Sequence, residues 1–268
     1  MNKKKRILVW IGGIIFLYAG ICLMYYSIQE SFIFHPKKLP AGHVFKCDKD
    51  FEELTINTSD GYGLNGVLVK SDSSKGLILF LHGSGSNIDK YIARRKIDSI
   101  YTDLGYDTFL LDYRGYGKSE GKIKNEKQFT DDLDRVYSYM KNMYEEKDIV
   151  IIGFSLGTFA AAYLASENYP RLLILESAGY SGKERLRKRF FFLPLSLLSK
   201  YEFEAYKYLN NTKTPTAIFM GSEDPLTSDE RWHQILKPGD KFTILEGEPH
   251  ADYAHNKQYI DELKLLLK

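Results

Sequence analysis

The five residues Gly153-Phe154-Ser155-Leu156-Gly157 constrain the fold of this chain more than any other stretch. They follow the apolar run Ile149-Val150-Ile151-Ile152, which reads as a buried strand. They precede Thr158-Phe159-Ala160-Ala161-Ala162-Tyr163-Leu164-Ala165, which reads as a helix. A strand that passes into a helix through G-x-S-x-G turns so sharply that the positions two residues either side of the serine have no room for side chains. Such a turn holds the Ser155 hydroxyl out at the carboxyl edge of a sheet. It also aims the first N–H groups of the helix at a charge developing beside it. Ser155 is therefore the candidate nucleophile, and the Leu156 N–H is one candidate oxyanion donor. A tight glycine turn with an incidental serine is the competing explanation.

The surrounding pattern suits that turn. Residues 51–57 and 64–69 read as paired strands around Ser59-Asp60-Gly61, and residues 76–81 as a buried strand. Residues 89–104 read as a helix and 107–111 as a strand leading into Asp112-Tyr113-Arg114-Gly115-Tyr116-Gly117. Residues 128–144 place Phe129, Leu133, Val136, Tyr137 and Met140 on one helical face. Strands at 171–175, 215–220 and 242–245 and a last helix at 253–267 complete the series. A starting hairpin followed by β-α repeats predicts an α/β fold with a mostly parallel central sheet and helices on both faces. Residues 177–211 break the rhythm. They hold the basic run Lys183-Glu184-Arg185-Leu186-Arg187-Lys188-Arg189 and then Phe190-Phe191-Phe192-Leu193-Pro194-Leu195. This stretch reads as a lid inserted after a strand: either a packed helix pair with a solvated basic face, or a basic and aromatic flap that meets an anionic membrane surface or an acyl chain.

The chain has 268 residues, enough for one sizeable core, with 37 basic and 35 acidic residues. Outside the cluster Lys3, Lys4, Lys5 and Arg6 the charges nearly balance, so no nucleic-acid surface is expected. The two cysteines, Cys22 and Cys47, form no metal-binding pattern, and neither a metal nor a cofactor is expected. Residues 7–26 carry no charge. Twenty helical residues rise ~30 Å, about one hydrocarbon core. A cleaved signal peptide competes, but the run is long for one and ends in Met24-Tyr25-Tyr26 rather than in small residues. The expected organisation is a cytoplasmic tail and transmembrane signal anchor over 1–26, a linker over 27–50 broken by His35-Pro36 and Leu39-Pro40-Ala41-Gly42, and a catalytic domain over 51–268. The basic cluster places the amino terminus in the cytoplasm and the domain on the non-cytoplasmic side of the cell membrane.

A serine nucleophile needs an oriented base. Of six histidines, His250 lies in the loop directly beyond the last strand, where a parallel sheet gathers its reactive groups. His255 is the alternative. The orienting acid is expected one strand earlier, in Gly221-Ser222-Glu223-Asp224-Pro225, where the proline biases Asp224 towards extended backbone. Glu176 and Glu223 compete with it. The second oxyanion donor is expected from His82-Gly83-Ser84-Gly85-Ser86-Asn87, at Ser84 N–H, with Gly85 as the fallback. His82 reads as a structural residue under that loop, and Asp112 and Arg114 as packing and ion-pair residues.

Taken together, Leu81-His82-Gly83-Ser84-Gly85-Ser86-Asn87, Asp112-Tyr113-Arg114-Gly115-Tyr116-Gly117-Lys118-Ser119-Glu120-Gly121, the G-x-S-x-G turn, Gly221-Ser222-Glu223-Asp224-Pro225 and Pro249-His250 resemble the α/β-hydrolase superfamily. The chain is most similar to its membrane-anchored Bem46-like group, which includes the alpha/beta hydrolase domain-containing proteins 13 and 17. The resemblance covers roughly residues 50–268. It departs at Ser84, where the family usually has asparagine. It implies an α/β-hydrolase fold and serine hydrolase activity on an ester, thioester or amide of a small-molecule or acylated substrate. Ester or thioester hydrolysis is the expectation. A serine aminopeptidase, an acyltransferase and a non-catalytic binding protein of the same fold are the rivals.

Overall fold

The computed structural model of the chain describes residues 2–95, 97–227, 230–251 and 253–268. Helix α1 (Lys3–Ile33) leads into strands β1 (Phe51–Asn57), β2 (Gly63–Val69) and β3 (Leu77–Leu81). Helices α2 (Ile88–Arg95) and α3 (Ile97–Ile100) follow, then β4 (Asp107–Leu111), α4 (Glu126–Lys141), β5 (Ile149–Phe154), α5 (Leu156–Glu167) and β6 (Leu172–Glu176). The inserted segment carries α6 (Gly182–Arg189), α7 (Leu195–Leu198) and α8 (Ala205–Asn211). The chain closes with β7 (Thr216–Gly221), α9 (Trp232–Ile235), β8 (Lys241–Leu245) and α10 (Lys257–Leu266).

The eight strands form one sheet in the order β1-β2-β4-β3-β5-β6-β7-β8. The pairs β1·β2 and β2·β4 are antiparallel and every other pair is parallel. Strand β3 is buried on both faces, as a central parallel strand must be. Its alternate residues feed two separate cores. Leu77, Leu79 and Leu81 pack with α4, α5 and α8, while Ile78 and Phe80 pack with α2 and α10. Helix α5 is apolar almost all round, and Ala160, Ala161, Ala162, Leu164 and Ala165 are all buried, which fits a helix enclosed by the sheet and its neighbours.

Two sequence expectations shift. The helix expected over 89–104 gives way after Ile100 to a short 3-10 turn, Thr102–Leu104, with Gly105 left-handed at φ 83° ending it, and position 96 of that expectation lies outside the described residues. The apolar N-terminal helix does not stop at residue 26 but runs to Ile33, because no proline or glycine lies between residue 26 and Pro36. It is the one described helix long and apolar enough to cross a membrane. The stretch that follows is docked rather than loose. Phe34 and Phe45 are each 2% exposed, and Leu39 N–H donates to Gly117 O at 2.9 Å. The end of α1 and the inserted segment hold one another. Gln29 donates to Leu198 O and accepts from Lys200 N–H, and Lys200 pairs with Glu30 at 2.9 Å.

Candidate active site

The turn between β5 and α5 is as sharp as the glycines imply. Ser155 sits at φ 50°, ψ −113°, a left-handed conformation that a non-glycine residue adopts only when its surroundings impose it. A Cβ on Gly157 would run into the Leu81 carbonyl, and one on Gly153 into the Gly157 carbonyl. Ser155 N–H donates to Glu176 O at 2.9 Å, which ties the turn to the neighbouring strand end.

Two loops bring the partners. Beyond β7, the chain turns at Asp224, whose side chain is fully buried. Beyond β8, His250 is carried back against it. Glu223 N–H donates to Glu248 O at 3.0 Å, and Gly221 lets Glu248 approach where a Cβ would block it. The result is a line of hydrogen bonds. Ser155 Oγ lies 2.9 Å from His250 Nε2, and His250 Nδ1 lies 2.8 Å from Asp224 Oδ2. A carboxylate only accepts, so Nδ1 carries the proton and Nε2 is left to accept from the serine hydroxyl. Leu226 N–H donates to the other Asp224 oxygen at 2.9 Å. Burial works to raise the Asp224 pKa, but the hydrogen bonds from His250 and Leu226 N–H outweigh it, and the carboxyl is held below its usual range.

The competing candidates lie elsewhere. Glu176 is buried at the end of β6 and accepts from Tyr259 OH at 2.6 Å. Glu223 is exposed, and His255 faces solvent with Nε2 3.2 Å from Glu248. His82 is buried under the loop after β3, against Tyr113 and Tyr116, with Nδ1 2.7 Å from Gly83 O. Arg114 is clamped between Asp132 and Asp60.

Ser84 and Leu156 flank Ser155 on the wall of one cleft of about 330 Å³ that also reaches His250. Among the described residues, neither Ser84 N–H nor Leu156 N–H is engaged by another protein group. The Ser84 loop is pinned from both sides. Gly85 N–H donates to Phe34 O at 2.9 Å, and Tyr113 OH donates to His82 O at 2.9 Å. The other walls come from Phe32 and Ile33 at the end of α1 and Ser177 after β6, which the sequence patterns did not single out, and from Arg185 and Arg189 on α6, within the basic run of the expected lid. Ser177 is left-handed at φ 49° and bonds Tyr253 OH at 2.6 Å. Nothing in a linear pattern marks Phe32, Ile33 or Ser177 as parts of a site, because only the docking of α1 and of the insertion brings these walls to Ser155.

A protein-family model described as serine aminopeptidase, S33, matches residues 72–206, half of the chain. The uncharacterized membrane protein YNL320W of Saccharomyces cerevisiae is 30% identical over 165 residues, covering 59% of this chain and 57% of that protein. Alpha/beta hydrolase domain-containing protein 17C of Mus musculus is 26% identical over 262 residues, 91% of this chain and 73% of that protein. Among solved structures, the esterase Pf2001 of Pyrococcus furiosus superposes with a TM-score of 0.68 at 22% identity, over 88% of this chain and 96% of that one.

Proposed function

Because this chain belongs to the serine aminopeptidase S33 family of α/β-hydrolases, we propose that it is a membrane-tethered serine hydrolase that cleaves an acyl ester or thioester. The observation that carries the reading is the continuous hydrogen-bonded line from Ser155 through His250 to Asp224 at the carboxyl edge of the sheet. Ser155 Oγ attacks the carbonyl carbon while His250 Nε2 takes its proton. Asp224 holds the imidazole in the required tautomer and stabilises the imidazolium. The Leu156 and Ser84 N–H groups receive the oxyanion. Collapse of the tetrahedral adduct returns the proton from His250 to the leaving alcohol or thiol and leaves an acyl-serine. Water, deprotonated by His250, then attacks the acyl-serine and releases the acid.

An aminopeptidase binds a free ammonium group and calls for a carboxylate to face it. The described residues lining the Ser155 cleft include Arg185 and Arg189 and no acid. That favours ester or thioester cleavage over removal of amino-terminal residues. Support for the tether comes from α1, whose apolar residues stand exposed along its first half, with Trp10 at 72% and Phe16 at 82%. The cluster Lys3, Lys4, Lys5 and Arg6 supports a catalytic domain on the non-cytoplasmic side.

The test is turnover of p-nitrophenyl acyl esters of increasing chain length by the full chain in detergent. Ser155→Ala is expected to lower kcat by roughly 10⁴-fold or more with unchanged circular dichroism. Undiminished turnover in that variant overturns the reading.

A further inference from the structure

The cleft at Ser155 has two unlike walls. One is apolar and is built from Phe32, Ile33, Phe159, Phe203 and Leu226. The other is the face of α6. The residues that α6 contributes are Gly182, Arg185, Leu186 and Arg189, spaced i, i+3, i+4 and i+7, so a single helical stripe looks into the site. The neighbouring basic residues are otherwise disposed. Lys183 is paired with Glu202, and Arg187 and Lys188 lie off the stripe. Glu184 pairs with Arg231 at 2.7 Å. Among the described residues, Arg185 and Arg189 have no carboxylate partner; Arg189 only rests its guanidinium 5.7 Å from the Phe190 ring. Two guanidinium groups without a carboxylate partner, lining the same cleft as the nucleophile and several apolar side chains, make a site for a molecule that carries both a chain and an anion.

The cleft also says where that molecule comes from. Phe32 and Ile33 are the last residues of the apolar helix, so the apolar wall continues directly from the segment proposed to cross the bilayer. Helix α6 leans on the same helix through Phe190, whose ring lies 5.1 Å from Tyr25 and 5.7 Å from Phe32. A volume of about 330 Å³ is at the low end of the roughly 300–1,000 Å³ of small-molecule sites, which suits one chain rather than two.

Resting on the reading of Ser155 as nucleophile, we propose that the substrate is a single-chain acyl ester with an anionic headgroup, drawn from the membrane surface. Its chain lies along Phe32, Phe159 and Leu226, and its anion meets Arg185 and Arg189. The ester between them is presented to Ser155.

The probes are 1-oleoyl-lysophosphatidylglycerol and neutral 1-oleoylglycerol, each at the same mole fraction in neutral detergent micelles, with released oleate measured for the full chain. The anionic lipid is expected to have a kcat/KM about tenfold or more above the neutral one. In Arg185→Gln/Arg189→Gln that ratio is expected to fall to about one. In Arg187→Gln/Lys188→Gln, which removes the same charge from residues of the same helix that do not line the Ser155 cleft, the ratio is expected to persist. A ratio near one in the unaltered protein, equal loss in both double variants, or cleavage of neither lipid by a protein whose Ser155 still reacts with a fluorophosphonate overturns the proposal. Failure of Ser155 to react with that probe instead overturns the assignment of the nucleophile.

Discussion

The hydroxyl of Tyr18 donates to the main-chain carbonyl of Phe192 at 2.8 Å, joining the middle of α1 to the tip of the inserted segment across 174 residues of sequence. Tyr25, 3% exposed, packs beneath it with Leu193 and Leu195. The insertion therefore lies along the apolar helix and reaches the level of Tyr18. With residues 7–26 as the span, Tyr18 stands ~12 Å below the surface nearer the domain, at a rise of ~1.5 Å per residue. With that span, Phe191 and Leu197, 83% and 82% exposed in the isolated chain, are expected to meet lipid rather than water.

This position of the lid tip has a direct spectroscopic consequence. Phe191→Trp in the full chain reconstituted into vesicles is expected to give blue-shifted added emission that brominated acyl chains quench. Emission at the wavelength of water-exposed tryptophan, insensitive to bromine, contradicts a membrane-seated lid.

Where the chain can be cut follows from Phe34. Its ring is buried among Phe129, Tyr201 and Phe203, and its carbonyl accepts from Gly85 N–H in the proposed oxyanion loop. Burial of such a ring is worth ~1.5–3 kcal/mol. A chain beginning at residue 27 loses Tyr25 from beneath the lid and is expected to melt slightly lower while keeping its turnover of small soluble esters. One beginning at residue 36 is expected to melt several degrees lower and to lose most turnover. Equal melting temperatures and turnover for the two would show that this segment is a passive linker.

Much of this arrangement was open to reading from the residues. Runs such as residues 51–57 and 107–111 alternate or are apolar over strand lengths, and both form the strands expected of them. The G-x-S-x-G turn marks Ser155 locally because its constraint is steric and acts within five residues. Asp224 and His250 were reachable through chain order, since loops at the carboxyl ends of adjacent parallel strands meet. The docked segment was not legible. Residues 27–33 look like the start of a linker until Gln29 and Glu30 are seen bonded to the Leu198–Lys200 stretch. Likewise the basic run in α6 reads either as a solvated face or as a flap meeting a membrane or an acyl chain, because periodicity tells which residues share a stripe and not what that stripe meets.

Asp224 sets a second, pH-dependent expectation. Its carboxyl pKa is lowered in the folded chain, so its contribution to stability is fully present above the unfolded value near 3.8 and is lost as pH falls through the lower folded value. The stability gap between the unaltered protein and Asp224→Asn is therefore expected to be constant at neutral pH and to close below about pH 3.8. Asn at this position also favours the wrong histidine tautomer, and kcat at neutral pH is expected to fall roughly 10⁴-fold. Denaturant melts across pH and single-point kinetics check the two effects separately; a gap that widens in acid contradicts the assignment of the shift.

The central claim is that Ser155 is a nucleophile activated by His250, and covalent mapping tests it most directly. Incubation of the full chain with a fluorophosphonate, followed by peptide mass spectrometry, is expected to place one adduct on the peptide bearing Ser155. His250→Ala is expected to slow that labelling by orders of magnitude, while His255→Ala leaves it intact. Absence of any adduct on Ser155, or labelling that depends on His255 and not on His250, would contradict the account.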